Sequence, residues 1–147
     1  YFYYKEGIIM LTHVFIFITM IFLHIYDDFR AQGILAQFKQ KKWWEENCPG
    51  EMYKYDWVIS LIAHSFRWTF MILLPPTVYA YVIGIDFNSY LGIYMIVFIL
   101  NCVFHALVDH IKANMYLINL VQDQMRHIFQ IILTCGILFS AIELLQK

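Results

Sequence analysis

Three histidine–aspartate pairs recur at one spacing. His24 and Asp28, His105 and Asp109, and Asp123 and His127 each stand four residues apart. On an α-helix that spacing puts both side chains on one face, so each pair can chelate one cation or share one hydrogen-bond partner. His64 adds a fourth imidazole without a carboxylate at that spacing. Mixed imidazole and carboxylate donors suit Zn, Mn, Fe or Mg, and carboxylate-rich sets lean to the harder ions. Helical bundles build metal sites in this way, with such residues projecting inward from facing helices. Lys112 and Arg67 are the cations that would stabilise a developing anion beside a bound metal ion.

Those pairs have to be carried by elements the composition allows. Of 147 residues, 61% are hydrophobic and only 14% charged. A soluble domain runs at about 45–50% apolar and about 25% charged. So few charges cannot cover a water-facing surface, and the chain reads as an all-α, polytopic membrane bundle in one domain. A formal net charge of -1 excludes a basic nucleic-acid binder. Cys48, Cys102 and Cys135 form no CxxC pair and no disulfide framework, and two of them lie inside apolar runs, where free cysteine behaves as a small hydrophobe.

A helix crossing a ~30 Å hydrocarbon core needs about 20 largely apolar residues. Four stretches fit: 7–26, 57–74, 90–108 and 127–145. The second is expected to stop at Pro75-Pro76, with 77–83 extending it past a kink or lying at the interface. The first resembles a signal peptide but lacks an A-x-A site, so it reads as retained. The native start is expected upstream of Tyr1.

Between the first two spans, Lys39, Lys41, Lys42, Trp43 and Trp44 suggest an interfacial segment over about 30–54, with indoles at headgroup level and lysines reaching outward. Between the last two, Ile111, Met115, Ile118 and Met125 predict a helix lying on the membrane over about 110–125. Arg30, Lys39, Lys41, Lys42, Lys54, Lys112 and Arg126 fall in these two loops, whereas the other side holds only Lys5 and Lys147. The positive-inside rule makes the basic loops cytoplasmic and places both termini outside.

In that orientation the pairs fall at the cytoplasmic ends of spans one, three and four, and His64 lies about two turns inside span two from the same side. One H-x-x-x-D pair is weak, because the pattern is common by chance and Asp123 also suits a helix N-terminus in water. Three pairs at one depth are stronger, since an ionisable group near the bilayer centre costs at least ~2.5–3.5 kcal/mol and usually marks a functional site. Ser60, His64 and Arg67 share one stripe, and Asn101, His105, Asp109 and Lys112 another, which together predict a hydrophilic pocket open to the cytoplasm. His13, His110 and Glu143 fall outside this set.

In chain order the motifs are H-x-x-x-D-F-x-x-Q from His24 to Gln32, His64, H-x-x-x-D-x-x-K from His105 to Lys112, and D-Q-x-x-H from Asp123 to His127. Over about residues 8–133 this order resembles the bacterial and phage membrane family known as domain of unknown function 3307. The resemblance implies a small multi-span protein of a bacterial inner membrane, and it marks Gln32 and Gln124 beside the pairs as family-patterned polar positions. The chain departs from that pattern in carrying Asp27 beside Asp28, where a glycine often precedes the aspartate, so either carboxylate can be the one that counts.

Two classes of function follow. One is a metal-dependent hydrolase acting on a lipid-linked or phosphorylated substrate, although no HExxH or GxSxG motif is present. The other is a non-enzymatic subunit of an oligomeric membrane assembly, a channel or a proton or ion relay, in which His/Asp chains serve equally well. The partners expected are the lipid bilayer and further copies or a membrane complex.

Overall fold

A computed structural model describes the backbone of residues 2–146 and the side chains of residues 7–146. Lys147 and the side chain of Lys5, two basic residues assigned to the outer side, lie outside the described residues. Helix α1 (Phe2–Tyr26) runs on into a π-helical turn (Asp27–Ala31). Two short helices, α2 (Leu35–Phe38) and α3 (Lys41–Asn47), and a 3-10 turn (Glu51–Tyr53) lead to α4 (Asp56–Val82), α5 (Phe87–Ala113) and α6 (Leu120–Leu145). No strand occurs among the described residues. The chain folds as an all-α bundle of four long helices, each long and apolar enough to cross a membrane.

The long helices alternate in direction, with α4 packed on α1 and α5, and α6 packed on α5 and α1. The residues between α1 and α4 and those between α5 and α6 therefore gather at one end. At about 1.5 Å per residue the 27 residues of α4 or α5 span roughly 40 Å, so their ends project past a ~30 Å hydrocarbon core.

Burial divides the bundle into halves. Ile16, Met20, Ile72, Leu73, Leu138 and Ile142 fill an apolar core. Toward the end carrying the two basic loops, the buried residues are instead His24, Asp27, His64, His105, Asp109, Asp123 and His127. The exposed surface is the apolar one, with Phe15, Phe22, Phe66, Ile96, Leu107 and Phe129 facing outward. Such a surface suits hydrocarbon, since water-soluble proteins rarely expose large contiguous apolar patches. The chain is a multi-pass membrane protein.

The structure differs from the sequence expectation in three places. First, of the two alternatives for residues 77–83 the structure takes the extension: α4 does not stop at Pro75-Pro76 but continues to Val82. Proline removes a backbone donor, and neighbouring helices and Ser/Thr side chains make this tolerable in membrane helices. The carbonyls left without their usual N–H donor are those of Met71 and Ile72, and the Thr77 hydroxyl makes a separate bond to the Leu73 carbonyl at 2.8 Å.

Second, residues 110–125 are not one surface helix. Asn114 ends α5, Tyr116 takes a left-handed φ of 57°, and Asn119 restarts the chain as α6 with a capping box to Gln122. The apolar spacing that suggested a continuous helix belongs to two helix ends. The N-x-x-Q signal at Asn119 marks the break.

Third, Lys39 is buried, not reaching outward. The Asn114 side chain accepts from the Lys41 backbone N–H at 2.6 Å and donates to the Lys39 carbonyl at 3.0 Å, which pins the α2–α3 corner to the end of α5. Gly33, at φ +54°, lets the chain leave the π turn toward that corner. At the opposite end Asp86 caps α5, and the Ser89 N–H and hydroxyl that it accepts hold its carboxyl below the usual carboxylate range.

Candidate metal centre

The π turn is where the site begins. A π turn often marks a functional position in a helix, and here it sends two adjacent carboxylates to different partners. Asp27 is clamped by Arg67, whose Nε donates to Oδ1 at 2.8 Å and whose Nη2 donates to Oδ2 at 3.3 Å. Arg67 Nη1 also donates to the Ala31 carbonyl at 2.7 Å, which holds the end of the turn. Asp28 instead directs Oδ1 to within 3.4 Å of His64 Nε2. Asp28 is the carboxylate that faces the imidazoles, and Asp27 stands behind His64, with Oδ2 3.7 Å from Nδ1.

Helices α4, α5 and α6 supply the remaining groups. His64 Nε2 lies 3.1 Å from His105 Nε2 and 3.3 Å from Asp109 Oδ2, while His105 Nε2 is 3.7 Å from the same oxygen. The other oxygen, Asp109 Oδ1, is 3.5 Å from His127 Nε2, which in turn is 3.4 Å from Asp123 Oδ1. Trp68 forms the floor, stacked on His105 at 4.1 Å between ring centroids. Atoms bound at about 2.0–2.1 Å from one ion lie roughly 2.8–3.4 Å apart along octahedral or tetrahedral edges. The separations here, 3.1–3.7 Å, are close to those of a ligand shell.

Several of the same atoms have no hydrogen-bond partner although they are buried: Asp28 Oδ1, Asp123 Oδ1 and His127 Nε2. A buried polar atom left unpaired costs about 1–3 kcal/mol, and more when it is charged. Buried groups in two sets, Asp28/His64/His105 and His105/Asp109/His127, could hold a metal ion.

The other sequence-selected residues take different places. Trp68 Nε1 donates to His24 Nδ1 at 2.9 Å. A neutral imidazole accepting at Nδ1 carries its proton on Nε2, so His24 has no free lone pair to offer a metal. It lies beside the cluster, with its ring 5.6 Å from that of His127. Arg67 faces Asp27 and the Ala31 carbonyl, not the imidazoles. Lys112 donates to Asp123 Oδ2 at 2.5 Å, on the side of that carboxylate away from His127's oxygen partner, Oδ1. His13, stacked on Phe139, and His110, stacked on Trp57, lie apart.

Two site groups were not selected from the sequence. Lys39, from the α2–α3 corner, donates to Asp109 Oδ2 at 2.6 Å across seventy positions of chain, and nothing local announces that. Trp68 stands four residues after His64, a spacing that puts it on the same helical face. Gln124 donates to both Asp28 Oδ2, at 3.2 Å, and Asp123 Oδ2, at 3.1 Å, and so ties α6 to the π turn.

A cavity of about 320 Å³ opens beside this centre, lined by Asp28, Gln32, Lys39, Lys112, Gln124 and, on its apolar side, Phe29 and Leu120 among others. Its lining joins cationic and amide donors to apolar side chains, at the end of the bundle where the helices emerge.

Fold and site together define a multi-pass membrane bundle with a buried histidine–aspartate centre able to hold a metal ion. Compared with protein-family models, with curated proteins and with solved structures, the chain matches none of them.

Proposed function

We propose that this protein is a metal-dependent membrane hydrolase acting on a phosphorylated, lipid-linked substrate at the cytoplasmic face of a bacterial inner membrane. The observation that carries the reading is the set of buried, unpaired donor atoms, Asp28 Oδ1, Asp123 Oδ1 and His127 Nε2, converging beside His64, His105 and Asp109. A hydrogen-bonded structural core leaves few such atoms and does not gather them on imidazoles and carboxylates, whereas bound cations would satisfy them.

His64, His105, His127, Asp28, Asp109 and Asp123 would hold the metal. When bound, a divalent ion supplies a Lewis acid for a phosphoryl oxygen and activates water for attack. The chain's own residues do the rest. Trp68 fixes the plane of His105 by stacking. Asp27, held by Arg67, stands 3.7 Å behind His64 Nδ1, from where a small shift would let it support a ligand histidine. Lys112 and Lys39, at the cavity wall, offer ammonium donors to a phosphate, with Gln32 and Gln124 as neutral donors. Phe29 and Leu120 give the same cavity an apolar side that suits a lipid chain.

The conducting alternative has one supporting observation, the run of imidazole rings His24, His127, His105 and His64 at centroid steps of 5.6, 4.2 and 5.0 Å. Past it the buried polar groups are Thr69 and the set Asn101, Gln130 and Thr134, which are hydrogen-bonded to one another, and the apolar core of Ile16, Met20, Ile72, Leu73 and Leu138 packs beside them. Hydrolysis is the stronger reading.

Elemental analysis of detergent-purified protein, beside phosphate release from a polyprenyl phosphate, tests it. Wild type should carry Zn, Mn, Fe or Mg and release phosphate, and His105→Ala and Asp123→Ala should lose both properties while keeping wild-type helical content. Folded wild-type protein that takes up none of these metals when loaded would overturn the reading.

A further inference from the structure

The donors around Asp109 do not form one shell. Two overlapping sets of donor atoms lie within 4.8 Å of one another, Asp28/His64/His105 and His105/Asp109/His127, and neither joins Asp28 to His127. An ion with bonds of about 2.1 Å cannot join donors more than about 4.2 Å apart. One ion is therefore poorly served by the whole arrangement.

Asp109 explains the division. Its Oδ2 faces His64 Nε2 at 3.3 Å, and its Oδ1 faces His127 Nε2 at 3.5 Å. Each of those histidines has a second carboxylate of its own: Asp28 Oδ1 at 3.4 Å from His64 Nε2, and Asp123 Oδ1 at 3.4 Å from His127 Nε2. The two halves have the same composition, one imidazole, one terminal carboxylate oxygen and one oxygen of the shared aspartate. His105 stands between them, 3.1 Å from His64 by nitrogen and 4.2 Å from His127 by ring centroid.

We infer that the centre binds two divalent metal ions bridged by the Asp109 carboxylate. The first ion is held by Asp28, His64 and His105, the second by Asp123 and His127. Resting on the proposed metal centre, this inference specifies how many ions it takes and which residue joins them. Two-metal sites place their ions roughly 3.5–4 Å apart, a span one carboxylate can bridge, and such pairs recur in phosphatases and nucleases. Lys112 is compatible with the arrangement, because it contacts Asp123 Oδ2 and leaves Oδ1 for the ion. Lys39 is not, since its ammonium occupies Asp109 Oδ2 and has to yield to the first ion. Freed from that oxygen, it remains at the wall of the cavity, where the charge of two ions would favour a phosphate ligand.

Manganese titration of chelator-stripped protein in detergent micelles, followed by electron paramagnetic resonance, decides the question. Wild type should bind two Mn²⁺ per chain at saturation and give the signal of an exchange-coupled pair. His64→Ala and His127→Gln should each bind one ion with an uncoupled six-line spectrum. Saturation of folded wild-type protein at one ion per chain would overturn the two-ion inference and leave the metal centre standing. Binding of none would overturn both. The wild-type stoichiometry decides even if the variants fail to fold, and circular dichroism reports whether they do.

Discussion

Lys39 Nζ lies 2.6 Å from Asp109 Oδ2, and both side chains are buried, at 10% and 2% exposure. The ammonium stands on the oxygen that the proposed first metal ion needs. Removing one member of a buried pair costs about 3–5 kcal/mol because the remaining charge is left uncompensated. Lys39→Met should therefore melt well below wild type when metal-free. A divalent ion would take over the vacated role, so the rise in Tm on adding Mn²⁺ should be larger in the variant than in wild type. At roughly 2–4 °C per kcal/mol for a chain of this size, the difference is measurable by a detergent-compatible melting assay. Equal rises in both proteins would mean that Lys39 does not compete with metal.

Arg67 acts through Asp27. It holds that carboxylate at 2.8 Å, and Asp27 in turn stands 3.7 Å behind His64 Nδ1. Outer-shell partners of ligand histidines are worth about 10- to 100-fold in metal affinity. Arg67→Met should weaken metal binding by that factor without changing the number of ions bound. Titration with a competing chelator reads both quantities. A change in stoichiometry would place Arg67 nearer the metal than the geometry does.

His24 should be dispensable as a ligand although it is as deeply buried as the others. Its Nδ1 is taken by the Trp68 indole at 2.9 Å. His24→Gln is expected to keep the wild-type metal content, in contrast to His105→Ala. Trp68→Phe keeps an aromatic ring against His105 but removes the donor, at an expected cost of about 1–3 kcal/mol for the acceptor left unpaired. Metal lost from folded His24→Gln would return His24 to the ligand set.

The start of α6 depends on Asn119, whose side chain accepts from the Gln122 N–H at 2.9 Å while Gln122 Oε1 accepts from the Asn119 N–H at 3.1 Å. Asn119→Ala should lower stability by about 0.5–2 kcal/mol, the usual range for a lost N-cap. Because Asp123 and His127 sit in the first two turns of α6, metal affinity should fall with it. Chemical denaturation of metal-free protein separates the two effects.

Orientation in the membrane is open to a direct test. With Cys48, Cys102 and Cys135 changed to Ser, single cysteines at Lys41 and Asn88 should label from opposite sides of intact vesicles, Lys41 from the cytoplasmic side. Labelling of both from one side would void the positive-inside assignment.

Much of this centre is written locally. The pairs His24/Asp28, His105/Asp109 and Asp123/His127 could be found because helical periodicity relates residues four apart whatever the helix later packs against. Membrane character was equally legible, since 61% hydrophobic and 14% charged residues leave no soluble alternative. Helix ends were less so. Pro75-Pro76 reads as a stop or a kink in water, but α4 runs through it to Val82 in the bundle. The break at 114–119 was hidden by apolar residues that keep helical spacing on both sides of it.

By itself, then, the sequence determined that four apolar helices carry imidazoles and carboxylates to one end of the bundle. Only the tertiary structure decided that Asp28 and not Asp27 faces His64 Nε2, that His24 is tied to Trp68, and that Lys39 stands on Asp109. The reason is physical. Which side chains share a face follows from the fixed pitch of a single helix, but which atoms come within 3 to 4 Å across 40 to 96 positions of chain follows from helix packing, a π turn and a folded loop corner.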